Sequence, residues 1–167
     1  GTSMPDVVAV IVAAGRGTRA AGGDIPKQFR RIGGETLLRR TLSMFVAHAN
    51  IGRVQPVIHP EDVAHFQSSA DGIVTLMPVY GGATRQASVR AGLEALSARA
   101  PDIVLIHDAA RPFASADLVS RAIEATAATG AAIPALSVTD TVKSVDAAGL
   151  VDKTLDRASL RLVQTPQ

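Results

Sequence analysis

Short runs of β-branched residues alternate with amphipathic stretches through most of this chain, and that alternation marks a mostly parallel sheet flanked by helices. Residues 7–12, 53–58, 73–78, 103–107 and 131–138 read as strands. Residues 36–49, 61–68, 85–98 and 115–128 read as helices, with Thr84 and Ser115 as N-caps and Gly130 at a C-terminal stop. At 167 residues and 47% hydrophobic content, one α/β domain is expected over 5–167. Gly1-Thr2-Ser3 before Met4 reads as a cloning scar.

The first apolar run feeds Ala13-Ala14-Gly15-Arg16-Gly17-Thr18-Arg19, with Pro26-Lys27-Gln28 a little further on. Glycines at 15 and 17 let backbone N–H groups approach phosphate oxygens, and Arg16, Arg19 and Lys27 supply the positive charge that a polyphosphate demands. Gly15-x-Gly17-x-x-Ala20 also satisfies the dinucleotide fingerprint, but the context does not. Gly22, Gly23 and Pro26 fall where its helix should run, and Arg39 and Arg40 stand where an acidic residue is needed. No Gly-Lys-Ser/Thr follows, so it is not a P-loop. An open, cationic loop wrapping a nucleoside triphosphate remains.

Composition narrows the partners. A net charge of +2, without Lys/Arg runs, suits small anions better than nucleic acid, and 3% aromatics with no Trp offer no stacking platform for single strands. The absence of cysteine excludes disulfides, thiolate catalysis and Cys-ligated zinc. No stretch approaches the roughly 20 apolar residues of a membrane span, and no signal segment follows Met4, so a cytoplasmic protein is expected.

In open α/β sheets ligands sit outside the carboxyl ends of the strands. Asp108 closes the run 103–107 there and is a candidate magnesium ligand, since magnesium needs few protein carboxylates when a triphosphate supplies oxygens; a turn-forming role suits it too. His107 reads as a hydrogen-bonded structural residue. Gly81-Gly82 repeats the paired-glycine pattern before a helix, and Ser88 is placed either to bond a base or to lie on the helix surface. Arg85 suits a solvated first turn, and His48, His59 and His65 read as surface residues. Residues 139–145 and 150–155 alternate polar with apolar around Asp146-Ala147-Ala148-Gly149, a hairpin that needs a further surface such as a second subunit. No Ser/His/Asp array emerges. Nucleotidyl transfer to a phosphate monoester needs none, because the attacking oxygen is already anionic.

These motifs together resemble the 2-C-methyl-D-erythritol 4-phosphate cytidylyltransferases of the non-mevalonate isoprenoid pathway. The resemblance rests on the glycine loop with Arg19 and Pro26-Lys27-Gln28, Gly81-Gly82 with Arg85 and Ser88-Val89, His107-Asp108-Ala109-Ala110-Arg111-Pro112, Asp140-Thr141-Val142-Lys143, Asp156-Arg157 and Thr165-Pro166-Gln167. It implies a Rossmann-like nucleotidyltransferase fold with a protruding β-hairpin dimerisation arm at 139–157. It also implies magnesium-dependent transfer of CMP from CTP to methylerythritol phosphate, with release of pyrophosphate.

On that resemblance, Arg19 and Lys27 are the catalytic cations and Gly15, Arg16 and Gly17 hold the phosphates. Ala13, Ala14, Gly82 and Ser88 frame the cytosine, and Asp108 lies at the magnesium. Arg111, Thr141, Arg157 and Thr165 hold the second substrate, Thr141 and Arg157 across the homodimer. Two departures stand out. Ala83 replaces an acidic residue that many relatives place beside the base, and relatives continue beyond Thr165-Pro166-Gln167, some into a fused cyclodiphosphate synthase domain. The alternatives are a cytidylyltransferase for another alditol or sugar phosphate, and a catalytically incomplete nucleotide-binding fragment.

Overall fold

The computed structural model describes residues 4–15, 25–111, 115–129 and 161–164. Its centre is β1 (Val7–Ala13), seven apolar residues all buried. A strand with no polar alternation is stable only where both faces are covered, as in a parallel α/β sheet. Odd-numbered Val7, Ala9, Ile11 and Ala13 pack with Leu38, Leu42, Phe45, Phe66, Val119 and Ile123, while even-numbered Val8, Val10, Val12 and Ala14 pack with Val89, Leu93 and Leu96. The period-two alternation of a strand thus sorts one apolar run into two cores.

The helices covering the first face are α1 (Leu37–Ala47), α2 (Val63–Ser69) and α4 (Ala116–Thr129); α3 (Arg85–Ala95) covers the second. Their starts are chemically specified. Thr36 accepts from the Arg39 N–H at 3.0 Å, Thr84 from Ala87 N–H at 3.0 Å, and Ser115 from Leu118 N–H at 3.2 Å. Ahead of α1 lies a small hairpin the sequence reading did not name, β2 (Arg31–Ile32) and β3 (Glu35–Thr36). Its turn residues Gly33 and Gly34 have φ of 64° and 89°, the positive values that favour glycine in a two-residue hairpin turn.

The main sheet has the order β5-β4-β1-β6-β7, with β4 (Arg53–Ile58), β5 (Val79–Tyr80), β6 (Ile103–Asp108) and β7 (Arg161–Gln164), and every neighbouring pair is parallel. Among the described residues these are, in chain order, the third, second, first, fourth and fifth strands of the sheet, the doubly wound Rossmann-like arrangement. The strands that follow β1 lie on its β4 side and those from β6 onward on the other, so the switch point opens between β1 and β6.

Two strand assignments change. The expected strand at 73–78 is absent, and only Val79–Tyr80 pairs with β4. Val54 and Ile58 turn their carbonyls to that edge, accepting from Leu76 N–H at 2.9 Å and Gly81 N–H at 2.8 Å. Pro56, of the same parity between them, has no N–H to give there, so the ladder breaks. The Gln55 side chain substitutes, donating to the carbonyls of Pro56 and Met77 at 2.9 Å each. Conversely, β7 is a strand that the sequence reading left unnamed. The expected strand 131–138, the stop at Gly130 and the arm 139–157 lie outside the described residues.

Candidate functional site: a cleft at the switch point

A cleft of about 710 Å³ opens at the carboxyl ends of the strands, on the α3 side of the sheet. Its walls come from Val12, Ala14 and Gly15 after β1, His59 and Pro60 after β4, Gly81 to Arg85 and Ser88 around the start of α3, and Asp108 at the end of β6. Val12 and Asp108 stand opposite each other in the parallel register, so Asp108 reaches the cleft beside the base of the glycine turn.

Space explains the glycines. A Cβ on Gly15 would meet no described residue within 4 Å. One on Gly81 would overlap the Ser88 hydroxyl and lie 2.5 Å from the Ala14 Cβ, and one on Gly82 would lie 2.5 Å from the Ala87 Cβ. The second glycine pair therefore lets its turn press against β1 and α3. Ser88, 2% exposed, accepts from the Gly82 N–H at 3.2 Å. Its hydroxyl shapes the turn as well as lining the cleft. Farther along the same helix, a Cβ at Gly92 would lie 2.7 Å from Val10 Cγ1, so glycine there allows close packing of α3 on β1.

Asp108 is half-buried and accepts from Ala110 N–H at 3.0 Å through Oδ1, the Asx turn that holds the strand exit. The Ala109 N–H donates back to the Val12 carbonyl at 2.9 Å, locking this exit to β1. Turn formation occupies one carboxylate oxygen in this geometry, and both sequence-based roles for Asp108 remain compatible with it. Behind it, His107 is 1% exposed and faces Phe45 with ring centroids 5.3 Å apart. Burial pushes its pKa down from 6.5 to about 4, while the charge of Asp108 pulls the other way. It is a neutral core residue.

Of the other anticipated residues, Ala13 is 2% exposed with its side chain in the opposite core. Lys27 is exposed at the start of a 3-10 turn, Lys27–Phe29, and Arg111 is exposed just after the Asp108 turn. Neither borders the cleft. Arg16, Gly17, Arg19, Thr141, Arg157 and Thr165 lie outside the described residues. His59 corrects the sequence reading: it is half-buried in the cleft wall, its Nδ1 accepting from Glu61 N–H at 3.0 Å, which leaves the ring proton on Nε2 when neutral. The residue most clearly missed is Gln28, buried at 2% and donating to the carbonyls of Ala13 and Gly15. A glutamine between exposed Lys27 and core Phe29 was the available signal. Among the described residues, no group of three His, Cys, Asp or Glu could hold a metal, and no helix is long and apolar enough to cross a membrane.

The profile of the 2-C-methyl-D-erythritol 4-phosphate cytidylyltransferases matches residues 7–167. The chain belongs to that family. A bifunctional IspD/IspF enzyme of Nitrobacter hamburgensis is 59% identical over 95% of the chain and 39% of its own length. That of Nitrobacter winogradskyi is 57% identical over 99% of the chain and 41% of its own length, so the chain spans about two fifths of these relatives. Among solved structures, the Anaerococcus prevotii 4-diphosphocytidyl-2C-methyl-D-erythritol synthase superposes with TM-score 0.61 at 29% identity, covering 72% of this chain and 50% of that one. A second synthase of that name gives TM-score 0.64 at 22% identity over 96% of this chain and 90% of its own, a likeness of fold.

Proposed function

We propose that this chain transfers CMP from CTP to 2-C-methyl-D-erythritol 4-phosphate, giving 4-diphosphocytidyl-2-C-methyl-D-erythritol and pyrophosphate. The observation that carries this is the convergence of Ala14-Gly15, Gly82 with Ser88, and Asp108 on one cleft at the switch point of a sheet from this family. A phosphate oxygen of the acceptor attacks the α-phosphorus in line, the bond to the β-phosphate oxygen breaks, and pyrophosphate leaves. No general base is needed. The obstacle is charge, since each pair of like charges 4 Å apart costs about 4 kcal/mol at an effective dielectric near 20.

Arg19 and Lys27 offset that charge at the α-phosphate, and Gly15, Arg16 and Gly17 hold the phosphate tail. Ala14, Gly82 and Ser88 surround the cytosine, which Ala13 reaches through its backbone alone; Arg111, Thr141, Arg157 and Thr165 hold methylerythritol phosphate. A homodimer exchanges the 139–157 arm, so Thr141 and Arg157 serve the partner's site, and the enzyme works in the cytoplasm, where CTP is made. Asp108 suits magnesium, which takes one or two protein carboxylates and completes its shell with phosphate oxygens and water. Bound there, magnesium would neutralise phosphate charge.

The test is pyrophosphate release from CTP with methylerythritol phosphate, ribitol phosphate or a hexose 1-phosphate as acceptor. Turnover with methylerythritol phosphate alone is expected; preference for another acceptor overturns the substrate, and CTP binding without turnover overturns the activity. In the same assay Asp108→Asn should need roughly tenfold more magnesium, an amide being a poorer ligand for a hard cation. An unchanged magnesium curve returns Asp108 to the turn alone.

A further inference from the structure

The turn bearing Lys27 is joined to the end of β1 by one buried side-chain amide. The Gln28 Nε2 donates to the Ala13 carbonyl at 2.8 Å and to the Gly15 carbonyl at 3.1 Å. Both partners are acceptors only, which fixes the amide orientation with its NH₂ toward β1. Ala13 is the last β1 residue paired with β4, and Val12 the last paired with β6, so these two carbonyls lie where the ladder runs out. Among the described residues, nothing packs where a Gly15 side chain would be. The other end of the link is firm: Phe29 is 4% exposed in the core, and its N–H donates to the Pro26 carbonyl at 2.9 Å.

We infer that Gln28 is a positioning residue for nucleotidyl transfer, its amide fixing the glycine turn after β1 relative to the turn that carries Lys27. A carbonyl oxygen carries partial negative charge and repels a polyphosphate when aimed at it. Gln28 engages two such oxygens at the start of the phosphate-holding turn. The same amide sets how far Lys27, the preceding residue in sequence, stands from that turn. Displacing a charge contact by about an ångström can cost on the order of 10²-fold in rate, so the link acts on kcat. This role rests on the cytidylyl transfer proposed above.

Gln28→Met keeps the length of the side chain and removes the donor. In the protein carrying that change, kcat should fall 10- to 100-fold while KM for CTP moves less than about threefold, with a cooperative melt retained. A kcat within twofold of wild type, or a change confined to KM, overturns the inference. Hydrogen exchange of the unmodified protein tests the link without a variant: CTP with magnesium should protect peptides covering 13–15 and 27–29 together, and protection of only one overturns it. A wild-type protein that binds CTP but ignores methylerythritol phosphate would sink the substrate reading, while the paired exchange response would still report on Gln28.

Discussion

Two glycine turns help line the cleft, and each has glycine for a different reason. Neither has a positive φ at the described positions, so conformational freedom is not the requirement. At Gly81 and Gly82 the protein itself fills the space a side chain would take, with Ala14, Ala87 and Ser88 in contact range. At Gly15 no described residue comes within 4 Å of that space, and Gln28 holds the backbone from behind. A glycine required by internal packing serves the fold, whereas one facing open space leaves room for something outside the chain. The contrast separates wall from binding surface within a single cleft.

The largest effect expected on the open side is at Lys27, exposed and adjacent to Gln28. Lys27→Ala should lower kcat about 10²-fold or more, as loss of a transition-state charge contact does, with thermal unfolding unchanged. If turnover survives and only CTP affinity drops, the open turn merely binds.

His107 tests the packed side. The unfolded chain takes up its proton near pH 6.5 and the folded protein only near pH 4, so the unfolded state binds more protons between those values. Stability contributed by neutral burial is complete above pH 6.5 and falls as pH drops toward 4, by roughly 3 kcal/mol in all. Urea unfolding across that window, without added metal, should show the slope, and His107→Gln should flatten it. Equal slopes in both proteins would show that other groups carry the acid sensitivity.

Gly81→Ala comes next, with overpacking expected to lower the unfolding free energy by about 1–3 kcal/mol, read by urea titration. Gly15→Ala should stay within about 0.5 kcal/mol of wild type in stability while weakening CTP binding about tenfold by calorimetry, a loss of about 1.4 kcal/mol. The comparison collapses if Gly15→Ala unfolds the protein or Gly81→Ala leaves it untouched.

What could be read from the sequence was local. The uninterrupted apolar run of β1, the hydroxyl caps at Thr84 and Ser115, and an aspartate closing β6 each carry their signal within a few residues. What escaped depends on neighbours distant in the chain. The run 73–78 has strand composition, but its pairing is refused by Pro56 on the adjacent strand. His59 looks like a surface histidine until β4 and β5 are set side by side and its ring borders the cleft. Gln28 acquires meaning only once the end of β1 lacks ladder partners. Cleft-lining residues at the ends of β1 and β6 were legible because the carboxyl-end rule needs only the strands, whereas Lys27 and Arg111, read from the motifs, are not in the cleft wall.

The interruption at Pro56 also bears on how this protein behaves at high concentration. Among the described residues β5 forms one edge of the main sheet, and it offers a two-residue ladder. Val74 and Met77 are 84% and 83% exposed close by, apolar enough to invite association. An incoming strand, however, finds only Val79 and Tyr80 to zip along before the backbone departs from sheet geometry. Long flat edges template intermolecular strand addition, and a short broken one does not. The proline that shortens β5 thereby acts as a guard against aggregation on the flank where the apolar surface would otherwise encourage it.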